Sequence, residues 1–496
     1  MMPLSIFSID LLNGNVLLLL CSILMFVAIM VTKLGTRFGV PSLLLFLLLG
    51  MLAGSDGLGV HFEDYEGAEA IGHFAMTIIL LTAGLETSLK ETKPVLWQGS
   101  ILSTLGVLLT VILTGLFIYF VLGKTMEMSM LVCFLMAAVM GSTDSASVFS
   151  ILRGKKMNLR ENLGPMLELE SGSNDPMAYT LTIIIVMMIT GEGIQSATSA
   201  GLVGQALLVL LLQIVVGVAV GFAVGFAAKW LLNKVKLPGF ALTAILILSV
   251  AFFANSIASL LKGNGLLALY ISAIIIGNEA KLKQRKEILT FMDGLTWLMQ
   301  LVMFLVLGLL ARPSQMPPVL LPAILIGLFM MFVARPASVF LSLLPFRKLS
   351  GRAKLLTSWV GLKGAGPILF ALYPVVEGVN GADDIFNIVF IITLFSLAFQ
   401  GTTLGSFAKM LRLCYEDTPK VETFGMEIPD EMGMLRDHIV TEEDLTGGAT
   451  LRDLHLPHGI RVMMVRRDGK FLVPHGSMPL QVGDNLVIIM GDSDDD

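Results

Sequence analysis

Apolar residues in this chain fall into long, nearly uninterrupted runs between about Asn15 and Leu411, parted by short breaks rich in charge, Gly and Pro. A run near 20 residues spans a bilayer as a helix, because only a helix bonds its own backbone there. Thirteen such runs can be drawn, at about 15–32, 39–54, 70–85, 99–121, 128–152, 163–190, 203–228, 240–261, 264–278, 288–311, 317–344, 353–376 and 385–411. The pattern predicts an all-α polytopic membrane protein. No Lys or Arg precedes Lys33, so the first run lacks the basic segment of a secretory signal and reads as an uncleaved span.

Charge tests that division. Counted from an external N-terminus, the external loops carry Lys or Arg only at Lys124, Lys262 and Arg312. Basic clusters such as Arg153 to Lys156, Lys281 to Lys286 and Arg347 to Lys354 all fall on the opposite side. This asymmetry predicts an external N-terminus and a cytoplasmic C-terminus in the cell (inner) membrane, an orientation that one span more or less would scramble.

After Cys414 the composition changes. Residues 415–496 hold 17 Asp+Glu and 7 Lys+Arg, a net −10 that leaves +5 for residues 1–414 of the chain total of −5. Two domains are expected, a transmembrane exchanger domain over 1–414 and a cytoplasmic regulatory domain over 415–496. Within the second, Gly459 to Arg467, the turn Asp468-Gly469 and Lys470 to Val473 predict a β-hairpin. Asn485 to Met490 predicts another strand, and Thr441 to Leu454 a partly helical stretch, giving a small α+β module.

Polar residues inside the apolar runs carry the chemistry. The sixth run contains Leu167-Glu168-Leu169-Glu170-Ser171-Gly172-Ser173-Asn174-Asp175-Pro176. A carboxylate at membrane depth costs at least about 2.5 kcal/mol, which makes each one a functional hypothesis. The observations imply an ion carrier. Arg335 and Lys363 are the Lys and Arg side chains placed deep inside runs rather than at their ends, and each needs a counter-charge or dipole.

Two runs are interrupted. Gly141-Ser142-Thr143-Asp144-Ser145 breaks the fifth, and Gly361-Leu362-Lys363-Gly364-Ala365-Gly366-Pro367 breaks the twelfth. The two runs cross in opposite senses, the trace of an inverted repeat with a central ion site. Lys363 is then placed to neutralise carbonyl ends of the broken helices, and Asp144 their exposed N–H ends.

Helical spacing puts Ser171 and Asp175 on one face and Glu170 and Asn174 on the adjoining one. Asp175 and Ser171 can offer oxygens to a dehydrated alkali cation, with Thr143 and Asp144 approaching from the break. Glu170 is left to pair with Arg335. Asp144 has a second reading as a helix cap, Glu168 as a pathway-entrance charge, and Asp293 as a funnel or interface charge. His61 and His73 are either pH-sensitive, structural or simply exposed. Cys21, Cys133 and Cys414 show no ligand spacing, and no metal site beyond the transported cation is expected. No phosphate-binding loop and no nucleophile–base constellation occurs, so neither an ATP-driven pump nor an enzyme is indicated.

These residues make the family recognisable. Glu170 to Pro176, Thr143-Asp144, Gly361-Leu362-Lys363-Gly364-Ala365 and Arg335 resemble the NhaP-type branch of the monovalent cation:proton antiporters over residues 15 to 411. In the tail, Leu451-Arg452-Asp453-Leu454-His455-Leu456-Pro457 and Gly483-Asp484-Asn485-Leu486 resemble a TrkA C-terminal (RCK-C) domain, a pairing similar to the potassium/proton antiporters of that branch. The resemblance implies a homodimer with a dimerisation domain and a moving core. It further implies Asp175 as the shared cation and proton site, Asn174 as the mark of electroneutral exchange, and the Glu170–Arg335 pair. Lys363 stands where many relatives have Arg, and Gly172 and Ser173 where relatives often carry bulkier residues, with an expected effect on pocket size.

The expected partners are K+ or Na+, H+, membrane lipid and a second copy of the chain, with no nucleic acid. No cofactor is expected, although the tail is expected to bind a small regulatory molecule, of nucleotide type in relatives. K+ is preferred on the strength of the tail alone. Two other classes stay open, an RCK-gated cation channel and a transporter-like membrane sensor. The channel lacks a Thr-Val-Gly-Tyr-Gly filter.

Overall fold

The computed structural model describes residues 14–38, 41–123, 125–154, 157–192, 199–235, 237–416 and most of 435–490. Lys124, Lys155, Lys156, Lys236 and the Asp468-Gly469 turn lie outside the described residues. The chain forms two compact units, Met1–Tyr415 and Glu416–Asp496.

Among the described residues the first unit is helical through most of its apolar runs. Among the described residues, seven helices are long and apolar enough to cross a membrane: Tyr65–Glu86, Leu89–Leu122, Gly201–Lys234, Phe240–Leu260, Arg285–Leu310, Pro317–Ser342 and Ala382–Met410. Shorter apolar helices such as Ser42–Ala53 and Gly265–Glu279 lie between them. Leu163–Thr190 is a single helix of 28 residues that holds Glu168, Glu170 and Asp175.

Packing sorts the helices into two bundles. Ser42–Ala53, Tyr65–Glu86, Phe240–Leu260, Gly265–Glu279 and Arg285–Leu310 pack on one another with the long helix Ser199–Lys234. The other bundle joins the composite helix through Leu122, Leu163–Thr190, Pro317–Ser342, Ala382–Met410 and both interrupted helices. The interruptions are real. Helix Met130–Val139 stops before Ser145–Gly154 begins, and Gly351–Trp359 stops before Ala365–Val376.

A correspondence links the two halves of this second bundle. The helix preceding each interrupted one contains a π-helical turn, at Leu102–Gly106 in one and Met330–Ala334 in the other. The two helices are bolted together where the Thr110 hydroxyl donates to Ser338 Oγ at 2.8 Å. Arg335 follows the second π turn directly, and such an inserted residue redirects the side chains after it.

The second unit is a four-stranded antiparallel sheet. Asn485–Met490 lies between Leu435–Ile439 and Ile460–Arg467, and Lys470–Leu472 pairs with the outer edge of Ile460–Arg467. Val440, Val465, Leu486 and Ile488 form its core. The helix expected within Thr441 to Leu454 does not form among the described residues there. Asp444 instead accepts the backbone N–H and hydroxyl of Thr441, each at 2.8 Å, and Asp453 treats Thr450 the same way. Each Thr-x-x-Asp closes a single turn that resembles a helix start, and the sequence Gly447-Gly448 between the two is poor in helix propensity. Thr450 then bridges Pro479.

Candidate functional site: a cavity at two crossed helix breaks

The two breaks meet. The Asp144 N–H donates to the Leu362 carbonyl at 2.9 Å, and Lys363 Nζ donates to the Ser142 carbonyl at 2.8 Å. A Cβ at Gly364 would fall on the Asp144 carboxylate, so only glycine lets the strands of the two breaks approach so closely. Lys363 is buried, and the carbonyl it meets is one that the break leaves without a helical N–H. Its own backbone N–H donates to Ser396 Oγ, whose hydroxyl donates to Gln400 Oε1, while Gln400 Nε2 holds the Trp359 carbonyl. Helix Ala382–Met410 thus braces the second break through two buried polar residues.

Helix Leu163–Thr190 braces the first. Asn174 Nδ2 donates to Thr143 Oγ1 at 2.5 Å, and Asn174 Oδ1 accepts the Thr143 N–H. Ser171 donates to the Thr143 carbonyl at 2.7 Å and accepts the Ser145 N–H at 3.0 Å. Asp144 caps the second half-helix, accepting from both the N–H and the hydroxyl of Ser147. Asp175 accepts a hydrogen bond from the Ser142 hydroxyl. Pro176 follows at once, and its missing N–H leaves the Gly172 carbonyl without its helical donor.

Glu170 and Arg335 form a buried ion pair, with Arg335 lying against Gly361 of the second break. Glu170 is 1% exposed and Arg335 6%, so each charge depends on the other.

A cavity of about 70 Å³ opens on Asp175, Asp144, Thr143, Ser142 and Ser171, with Ala365 and Gly366 beside them. That volume holds more than one water. Its opposite wall comes from the other bundle, through Met76, Ile79, Leu80 and Ala83 on one helix and Gln300, Met303 and Phe304 on another. The space lies where the two bundles face each other. Gly172 also borders it, but a Cβ there would clash with the phenol end of Tyr270. The room that the missing side chain leaves is therefore filled by an aromatic from the other bundle.

The structure brings all eight sequence-derived candidates, Asp175, Asn174, Ser171, Asp144, Thr143, Glu170, Arg335 and Lys363, to the two breaks or to the helix that crosses them. It distributes their tasks differently from helical spacing. Asn174 is fully buried and serves as a strut for Thr143. Ser171 lines the cavity, yet its hydroxyl is engaged by the break on both sides. The side chain that reaches Asp175 is Ser142. Ser142 was read only as part of the break and not as a site residue, while Ser147, Ser396, Gln400 and Gln300 escaped the sequence reading; a polar residue inside an apolar run was the one signal available for the last three. Asp293 and His61 are exposed. His73 lies 3.5 Å from Glu69, and Glu168 offers its carbonyl to the Tyr270 hydroxyl. Among the described residues no three His, Cys, Asp or Glu side chains converge as a metal cluster. The donor set at the cavity is one of carboxylates, hydroxyls and carbonyls, suited to a hard monovalent cation.

Residues 22–410 match the family model described as sodium/hydrogen exchanger, transmembrane, and residues 439–494 match the TrkA-C domain. The chain belongs to the sodium/hydrogen exchanger family and ends in a TrkA-C domain. It is 35% identical over 481 residues to the K(+)/H(+) antiporter NhaP2 of Shewanella oneidensis, covering 96% of this chain and 81% of that one. It is 35% identical over 492 residues to the K(+)/H(+) antiporter NhaP of Alkalimonas amylolytica. Its fold is that of the sodium proton antiporter MjNhaP1 from Methanocaldococcus jannaschii, with a TM-score of 0.66 at 23% identity over 79% of this chain and 96% of that one. The family places this exchanger among multi-pass membrane proteins rather than enzymes.

Proposed function

We propose that this exchanger moves one monovalent cation, K+ by preference over Na+, against one proton, with Asp175 as the shared site. The observation that carries this is the Asp175 carboxylate, bonded to Ser142 and open to a cavity between two helical bundles. Proton and cation exclude each other on one carboxylate, so exchange becomes obligatory without further machinery. Asp144 is committed to a helix N-terminus, Lys363 to a helix carbonyl and Glu170 to Arg335, which leaves Asp175 as the acid without a fixed partner charge. A single titrating group supports electroneutral one-for-one exchange.

The preference for K+ rests on the NhaP2 and NhaP relatives, named as K(+)/H(+) antiporters, and on the TrkA-C domain. The bundle that carries the breaks is proposed to rock against the other, giving alternating access, in a homodimer with an external N-terminus and a cytoplasmic tail that responds to a small molecule. Proteoliposomes containing a pH dye, given K+, Na+ or Li+ with and without a clamped potential, test the proposal. Saturable proton movement indifferent to the clamp supports it; potassium flux without proton counter-movement replaces it with a channel.

A further inference from the structure

The cavity has one wall with charge and hydroxyls and one wall that is almost wholly apolar. On the second wall Met76, Ile79, Leu80, Ala83, Met303 and Phe304 leave Gln300 as the single polar side chain. An amide at membrane depth costs several kcal/mol if nothing bonds it. Among the described residues the Gln300 amide has no protein hydrogen-bond partner.

Its helix is held firmly at this point. One turn earlier, the Thr296 hydroxyl donates to Thr82 Oγ1 at 2.8 Å and ties Arg285–Leu310 to Tyr65–Glu86. Thr296, Gln300 and Phe304 are spaced by four and share a face, so the bond that fixes Thr296 also aims Gln300 at the cavity.

The oxygens of the opposite wall, meanwhile, are largely engaged within the protein. The Thr143 hydroxyl accepts from Asn174, its carbonyl accepts from Ser171, the Ser171 hydroxyl accepts from Ser145, and Asp144 accepts twice from Ser147. A cation bound at Asp175 gains from a further neutral oxygen that no other group already holds.

We infer that Gln300 is a specificity-determining residue, whose amide oxygen supplies the cargo cation with a ligand from the bundle opposite Asp175. This rests on the cavity being the cation site. A neutral carbonyl dipole at fixed position weighs differently on K+ and Na+, because the two ions trade different hydration shells for it. The amide also ties cargo to both bundles at once, so bound cation bridges the surfaces that must move past each other.

The test uses the full-length protein with Gln300→Met, which keeps the side-chain length, and Gln300→Glu. Half-saturating concentrations of K+ and Na+ are measured in proteoliposomes, and cation-induced thermal stabilisation is measured in detergent. Gln300→Met is expected to raise the half-saturating concentration of the preferred cation at least fivefold and to change the K+/Na+ ratio at least threefold. Gln300→Glu is expected to bind both cations more tightly. Concentrations and ratio unchanged in Gln300→Met overturn the inference, while an exchanging wild type leaves the previous section standing. A wild type that exchanges nothing defeats that section instead. The thermal shift then decides this one, since equal stabilisation of wild type and Gln300→Met by K+ contradicts a ligand role. The same comparison applies to a variant without turnover.

Discussion

Ser142, in the break of one helix, donates its hydroxyl hydrogen to the carboxylate of Asp175 in another. The same residue gives its carbonyl to Lys363. One serine thus connects the acid at the cavity to the lysine of the second break. A hydrogen bond to a charged acceptor contributes about 1.5–3 kcal/mol. Ser142→Ala should therefore raise the half-saturating cation concentration by roughly tenfold or more, whereas Ser142→Thr should stay close to wild type, in dye-based transport assays.

Glu170 and Arg335 make a different prediction. Removing one partner of a buried pair costs about 3–5 kcal/mol by stranding the other charge. Glu170→Gln should lower the yield and melting temperature of folded protein, with the surviving fraction still exchanging cations. Arg335→Met combined with Glu170→Met should recover much of the lost stability, as measured by fluorescence-detected size exclusion after heating.

Gly172 packs against the ring of Tyr270, with no space for a Cβ. Overpacking of this kind costs about 1–3 kcal/mol. Gly172→Ala should reduce transport or stability, and pairing it with Tyr270→Leu should restore part of the loss. Gly172→Ala at wild-type rate and melting temperature would place the two bundles further apart than they are here.

Run length alone marked a helical membrane protein, because a membrane accepts backbone only where it bonds itself. The breaks were legible for the same reason: Gly141-Ser142-Thr143-Asp144 and Gly361 to Gly364 are poor helix, and buried charge beside them had to be answered. Periodicity failed inside the breaks. Ser142 and Ser171 are both hydroxyls near Asp175, but a four-residue helical spacing favours Ser171, and nothing in a non-helical segment marks Ser142. Gln300 and Tyr270 meet the site from remote runs, and no spacing in the chain relates them to Asp175. In the tail, Thr441 and Asp444 show the opposite problem, since the residues that close an isolated turn are those that begin a helix.

The tail predicts its own acid sensitivity. Asp484 accepts Arg467 Nε at 2.8 Å and Nη2 at 2.6 Å, and also the Gln481 N–H at 2.8 Å. The hydrogen-bonded Arg467 guanidinium holds this carboxyl below the usual carboxylate range. A carboxyl lowered in the folded state stabilises fully above its unfolded pKa of about 3.9, and that contribution is lost as pH falls through the folded value. Protease resistance of the tail in the full-length protein should drop below about pH 4. Asp484→Asn should lower it at neutral pH too, through a loss of about 1.5–3 kcal/mol of folding stability for a charged hydrogen-bonded pair.

Competition at Asp175 is the central claim, and the most direct measurement is the half-saturating cation concentration as a function of pH in proteoliposomes, for wild type and Asp175→Asn. One shared carboxylate predicts that on the acid side this concentration rises about tenfold for each pH unit lowered, the limiting slope of one-site competition in which a tenfold step is 1.36 kcal/mol. The maximal rate at saturating cation should stay constant, and Asp175→Asn should exchange nothing. A half-saturating concentration independent of pH, or an active Asp175→Asn protein, would contradict it.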